Sequence, residues 1–374
     1  MKPPVVILAG IRWDFLWQRH QTLATLFAGS GYPTVFVETT GLANPHLSEA
    51  TLRGFLLRVR RSEKAAGEPL TRNLTIYSPL TAPPTWGGFR WANDKVFVPR
   101  VLRDLRKLAG SRPIVIAYPP TSTTLALISG LEPRLVLYDC SDDYEHFAGV
   151  PKDIAETERG LFSRAGLVSC TSQHLLEKVR RSRPDAFLSG PAVEYGRFSV
   201  LQGSASPRTV RTVCFFGDVT GERIDLEVLE AIASAGFGVR IVGGLDRAGR
   251  NLLEMPGVDY RGEVSHAGLP GTLAGVDAFV LPYRVNALTL AISPAKTYEC
   301  LAAGRPVVAS RLPAMEDLGR YVYLAERPED YVRILRSLWD DETEDKVKAG
   351  IELSRKNSWN ARFGELEEVL WRAL

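Results

Sequence analysis

The chain has little cysteine: four in 374 residues, Cys140, Cys170, Cys214 and Cys300, widely scattered. That spacing excludes a disulfide framework and a cysteine-built metal centre. Three of the four fall in or at the end of apolar runs, so buried free thiols in a reducing compartment are expected. No apolar run approaches the ~18 residues of a membrane span. The opening run, Val5 to Ala9, is too short for a signal peptide, and a cytoplasmic location is expected. A G-x-G-x-x-G fingerprint is missing from the loop after that run, and Gly236-Phe-Gly238 opens no helix, so dinucleotide binding is not expected. Net charge is only +3 and no recognition motif is present, which argues against nucleic acid.

What is present is the composition of a soluble globular protein, 45% apolar and 24% charged, in a chain long enough for two domains. The charge is uneven. Residues 1–190 carry 24 basic and 17 acidic side chains, and within them residues 53–112 hold 13 basic and 4 acidic ones. Leu52–Arg61 and Lys95–Leu108 mix apolar and basic residues at helical spacing. Such segments can lie on an anionic membrane surface, or can be ordinary surface helices whose arginine stems cover the core edge.

Short apolar runs alternate with amphipathic stretches along the whole chain, which implies parallel sheets. Val5–Ala9, Thr34–Val37, Ile114–Tyr118, Leu135–Tyr138 and Gly166–Ser172 read as strands of a first unit. Asp14 is a plausible cap for a helix through Phe27, and Trp13, Trp17, Arg19 and His20 crowd the strand end before it. Gln202-Gly-Ser-Ala-Ser-Pro207 has loop composition, and the pattern restarts at Val213-Cys-Phe-Phe-Gly217. Val239–Val242, Val258–Tyr260, Ala278–Leu281, Val307–Ser310 and Val322–Leu324 follow as strands. The expected division is 1–190, 191–356, and a last amphipathic helix in 357–374 capped by Ser358 that crosses back to the first domain.

Two stretches carry chemistry. In Tyr138-Asp-Cys-Ser-Asp-Asp-Tyr144, three carboxylates leave the end of a buried strand, where open α/β sheets bind ligands. Asp139, Asp142 and Asp143 fit a general base, a cap for the next helix, or a Mg²⁺ site; packed closely, at least one should have a raised pKa. The second stretch, Ser293-Pro-Ala-Lys-Thr-Tyr-Glu-Cys-Leu-Ala-Ala-Gly304, reads as a helix with Ser293 as N-cap, Pro294 at its first position and Gly304 past its end. Lys296 in the first turn opposes the helix dipole unless an anion such as a diphosphate binds there, with Glu299 on the same face for hydroxyls. The competing reading is a surface Lys–Glu pair worth a few tenths of a kcal/mol.

Together these motifs resemble the GT-B-fold glycosyltransferases: α/β proteins with two Rossmann-like domains facing a cleft. The linker Gly190-Pro-Ala-Val-Glu-Tyr-Gly-Arg-Phe198 is similar to a looser form of that family's interdomain linker. Pro282-Tyr-Arg-Val-Asn-Ala-Leu-Thr289, and Trp13–His20 with Tyr138–Tyr144, resemble a bacterial exopolysaccharide subgroup that includes the xanthan glucuronosyltransferase. The resemblance implies a metal-independent hexosyl- or uronosyltransferase needing no cofactor, its donor a nucleotide sugar and first of all a UDP-sugar. It gives Lys296 and the Gly217 turn the diphosphate, Glu299 the ribose, Arg261 the neighbourhood of the base, and Tyr283, Asn286 and Thr289 that of the sugar. The acceptor is expected to be lipid-linked or membrane-proximal, with residues 53–112 against an anionic membrane and the enzyme peripheral on the inner face of the cell membrane. Many retaining members carry a glutamate eight residues before the one matching Glu299. Here that residue is Ala291, which favours inversion. A sugar-nucleotide 2-epimerase and a non-catalytic nucleotide-sugar-binding subunit are the alternatives.

Overall fold

The computed structural model describes residues 2–14, 17–38, 68–82, 84–147, 149–203, 209–290, 292, 294–338 and 341–374. The expected helix at 52–61, the cap residue Ser293 and Ala291 lie outside the described residues. The chain divides into two compact units, Met1–Ser189 with Phe363–Leu374, and Gly190–Arg362.

The first unit is built on β1 (Val5–Leu8), β2 (Thr34–Val37), β3 (Glu68–Thr71), β4 (Leu74–Tyr77), β5 (Ile114–Ala117), β6 (Leu135–Cys140), β7 (Leu167–Cys170) and β8 (Phe187–Leu188). They form one sheet in the order β3-β4-β2-β1-β5-β6-β7-β8, parallel except for the β3–β4 hairpin. That hairpin was not expected, because β3 is short, contains Pro69 and follows no alternating pattern. All four residues of β1 and of β5 are fully buried, which is why they read as unbroken apolar runs. The helix after β1 begins at Arg19, not after Asp14. Gln18 opens it, its N–H donating to Gln21 Oε1 at 3.1 Å, while Asp14 pairs with Arg12 at 2.9 Å.

The second unit contains β9 (Thr212–Phe216), β10 (Gly238–Val242), β11 (Val258–Tyr260), β12 (Ala278–Leu281), β13 (Val307–Ser310) and β14 (Tyr323–Ala325). All are parallel, in the order β11-β10-β9-β12-β13-β14. Numbered within the unit this is 3-2-1-4-5-6, the doubly wound order. Connections leave β9 and β12 to opposite sides and open a crevice at their carboxyl ends. Without β3, the first sheet runs in the same order with one more strand at its far edge. The four cysteines are all buried and free.

The last helix, Trp359–Ala373, buries Phe363, Leu366 and Leu370 at +3 and +4 spacing. Ser358 Oγ accepts from Ala361 N–H at 3.3 Å as its cap. Phe363 packs edge-on against Phe27 with ring centres 4.9 Å apart. Glu367 accepts from Lys2 at 2.6 Å and from Tyr32 at 2.7 Å. Phe363→Ala is expected to destabilise the first unit by about 3 kcal/mol, read as a lower urea midpoint. An unchanged midpoint would mean that docking of this helix adds no stability.

Candidate active site

At the carboxyl end of β9 the chain turns sharply through Gly217, at φ +124°, and at the end of β10 through Gly243, at φ +135°. A Cβ on Gly243 would run into the Gly217 carbonyl, so the two turns touch backbone to backbone. Gly217 N–H donates to Val242 O at 2.7 Å, and Gly243 N–H to Gly262 O at 2.8 Å.

Lys296 lies over the first of these turns. A Cβ on Gly217 would overlap its Cε and stand 2.7 Å from its Nζ. The helix carrying it runs Lys296–Ala302, so Lys296 is its first residue, later than the sequence suggested. Gly304 is left-handed at φ +68°, as expected. Lys296 and Glu299 are both half-buried, and neither side chain makes a hydrogen bond or an ion pair within the described residues. The surface Lys–Glu pair is therefore overturned. Tyr283 first, then Glu299 and Asp218, hold the Lys296 ammonium above its ordinary range, against burial and Arg223. Burial pushes the Glu299 carboxyl up to about 7; Glu194 adds to the shift, while Lys296 and Arg197 oppose it. Glu194 is itself held by Arg197 at 2.7 Å, and His266 stands 3.9 Å from its other oxygen.

Asn286 and Thr289 do something other than expected. Thr289 N–H donates to Asn286 Oδ1 at 3.0 Å, Asn286 Nδ2 to Glu222 O at 2.9 Å, and Thr289 Oγ1 to Arg284 O. Thr289 is fully buried. Their polar atoms shape the loop and its short helix Ala287–Leu290, so Thr289 is withdrawn as a sugar contact. Tyr283 is buried at the start of that loop. The Arg261 guanidinium turns outward to Asp259, at 2.7 Å. It lines a surface groove with Arg240, Val264 and Thr272 that includes none of Gly217, Tyr283, Lys296 or Glu299. Only the backbone of Arg261–Gly262 is tied to the glycine turns.

In the first unit the acidic residues do not share one site. Asp139 is fully buried and forked by Arg19, with Nε at 2.6 Å and Nη2 at 3.3 Å. It also accepts from Ser169 at 2.7 Å, and Arg19 Nη2 donates to Ser189 at 2.7 Å. Both Asp139 oxygens are engaged inside the unit and its side chain is fully buried, so Asp139 is not presented to an acceptor as the expected base would be. Asp143 is buried between Lys178, at 2.6 Å, and His146, at 3.1 Å. Asp142 is half-exposed and accepts from Ser141 at 3.1 Å. Among the described residues the three form no metal-ligating group. Asp142 and Asp143 line a cavity of about 140 Å³ with Glu158 and Lys178. The carboxyl raised by burial there is Glu158, which accepts from Tyr138; none of the three expected positions pointed to it.

Trp13 and Trp17 serve packing. Trp13 meets Phe36 edge-on at 5.0 Å, and Trp17 Nε1 donates to Thr22 at 2.8 Å. His20 packs against Tyr118 with ring centres 3.8 Å apart and planes tilted by 43°; burial, with Arg19 adding, lowers its pKa to about 3, against Asp139.

Against known proteins, residues 211–341 match the family described as glycosyl transferases group 1. Across the whole chain, two solved structures superpose at low identity. Sucrose-phosphate synthase of Thermosynechococcus elongatus has a TM-score of 0.71 at 14% identity, with both chains fully covered. Anabaena Alr3699/HepE, solved with UDP and glucose, has 0.70 at 13%, covering 99% of this chain and all of that one. The fold is GT-B. A Bacillus subtilis (strain 168) protein designated a teichuronic acid biosynthesis glycosyltransferase, TuaH, is 26% identical over 266 residues. That match spans 62% of this chain and 65% of the relative's length. No helix among the described residues is long and apolar enough to cross a membrane.

Two outcomes follow from the charges. Arg19→Met leaves Asp139 buried without its cation and is expected to cost about 3–5 kcal/mol in urea unfolding, most of it recovered by adding Asp139→Asn. A single-variant cost below about 1 kcal/mol would remove the pair from the structural account. Glu299 binds its proton more tightly folded than unfolded, so its contribution to stability is full below about 4.3 and is lost as pH rises to about 7. Glu299→Gln should therefore gain stability relative to wild type between pH 5 and pH 8, by on the order of 1 kcal/mol or more. A constant difference across that range would contradict the raised carboxyl.

Proposed function

We propose that the protein is a glycosyltransferase that moves a sugar from a nucleotide-diphosphate donor, first of all a UDP-sugar, to an acceptor hydroxyl in polysaccharide or glycolipid assembly. The observation that carries this reading is the unpaired, half-buried Lys296 ammonium over Gly217, at the crevice of a doubly wound sheet. A cation kept from its own chain's carboxylates suits a diphosphate, and glycine lets the phosphates approach the backbone. Glu299, three residues on, offers its carboxylate to ribose hydroxyls above pH 7. Tyr283 is buried near Lys296. The group 1 match over residues 211–341, the UDP and glucose bound by HepE, and the designation of TuaH as a teichuronic acid biosynthesis glycosyltransferase support the same reading.

In this mechanism the acceptor oxygen attacks the anomeric carbon in line. Its proton passes to a carboxylate, and the C–O bond to the nucleotide diphosphate breaks. Lys296 stabilises the charge growing on that leaving group, so the step requires no metal. Asp142 is the base candidate with an accessible side chain, and Asp143 with its Lys178 partner stands next to it. Ala291, where many retaining members of the resembled family carry glutamate, favours inversion. The basic excess of residues 53–112 favours a lipid-linked or membrane-proximal acceptor and a peripheral enzyme.

Lys296→Ala is expected to weaken UDP binding at least about tenfold and to lower transfer by about 10²-fold or more, with melting temperature unchanged. Calorimetric titration with UDP and a UDP-sugar turnover assay read the two effects. Wild-type affinity and turnover in that variant would sink the proposal. Isomerised donor formed without any acceptor would point instead to a 2-epimerase.

A further inference from the structure

Large apolar side chains stand in solvent over one short stretch of the first unit: Trp86 at 66% exposure, Trp91 at 63%, Val96 at 53% and Phe89 at 39%. Their backbone is one helical run, Gly87–Ala92, a π turn over Asn93–Phe97, and Val98–Ala109. The inner side is firmly seated. Val98, Val101 and Leu105 are buried, and Asn93 donates to Ala82 O at 2.8 Å and to Thr123 Oγ1 at 3.0 Å. Arg90 clamps Asp153 through both terminal nitrogens, at 2.7 and 2.8 Å, and donates to Pro84 O through Nε at 2.8 Å. Trp86 meets Phe89 edge-on at 5.4 Å, over Gly88, where a Cβ would overlap the indole. The aromatics are thus presented outward by a fixed frame.

The cations follow on the outer side. Val96, Arg100, Arg103 and Lys107 recur at +4, +3 and +4, and Lys95, Arg100, Arg103, Arg106 and Lys107 are exposed. Lys95, Arg100 and Lys107 make no ion pair within the described residues. Exposed tryptophans beside unneutralised lysine and arginine suit one environment in particular. The interface of a bilayer takes amphipathic rings at headgroup depth and places anions beside the cations. A second copy of the same face would bring those cations together.

We infer that Trp86–Lys107 docks on an anionic phospholipid surface, with Trp86, Phe89 and Trp91 inserted at headgroup depth and Lys95, Arg100 and Lys107 on the phosphates. Its biological sense rests on the lipid-linked acceptor proposed above; its test does not. The whole protein is sedimented with vesicles of phosphatidylcholine, with and without about 30 mol% phosphatidylglycerol. Wild type should bind the anionic vesicles, with a blue shift in tryptophan emission, and lose binding as salt rises. Trp86→Ser with Trp91→Ser, and separately Lys95→Glu with Arg100→Glu, should each weaken that partitioning at least about tenfold while leaving melting temperature and UDP affinity unchanged. Equal binding to both vesicles, undiminished binding in either variant, or a dimer dissolved by the tryptophan changes would overturn the inference. Loss of vesicle binding with UDP binding intact touches only this inference, and the converse touches only the proposed function.

Discussion

An ammonium half-withdrawn from water, with no carboxylate at contact distance, is an unfavourable thing to build. Lys296 is held in that state by two neighbours that have no side chains. Gly217 yields the space its Cε and Nζ occupy, and Gly243 lets the Gly217 carbonyl close in beneath. Asp218 and Glu299 lie near enough to keep the ammonium charged, yet neither captures it. The rest of the second unit serves that arrangement. The order of its six strands sets where the crevice opens, and the loop hydrogen bonds of Asn286 and Thr289 fix the segment that carries Tyr283 towards it.

The first unit repeats the strand order and treats the charges at the carboxyl edge of its sheet in the opposite way. There Arg19 and Asp139 pair with one another, Ser169 donates to Asp139 and Arg19 to Ser189, and His20 lies neutral with its ring tilted against Tyr118. One topology therefore supports two electrostatic outcomes. In one unit the opposite charges are closed on each other; in the other they are kept apart. A buried pair like Arg19–Asp139 adds little net stability over an apolar pair, but it fixes the helix Arg19–Gly29 to the end of β6.

Much of this was legible in the sequence, and the reason is physical. Strands buried on both faces appear as short unbroken apolar runs, so β1, β2, β5, β9, β12 and β13 could be read directly. Lys296 was visible because a lysine in a first helical turn conflicts with the local dipole. Ser358 was legible as a cap, and its side chain accepts the expected backbone N–H. Partners distant in sequence were not legible. Arg19 and Asp139 are 120 residues apart, so three carboxylates written close together looked like one site. The β3–β4 hairpin gave no alternation to read. Asn286 and Thr289 had the residue types of a sugar site and also those of a loop capping itself, and only the hydrogen bonds tell the two apart.

The last helix also carries a consequence for synthesis. Chains made from the amino end usually complete their first domain first. Here the side chains that cover Phe27, Tyr32 and Lys2 come from Phe363–Leu374. The unit begun first is therefore finished last, after every strand of the second has left the ribosome. A nascent chain halted anywhere before Phe363 still lacks the ring that packs on Phe27.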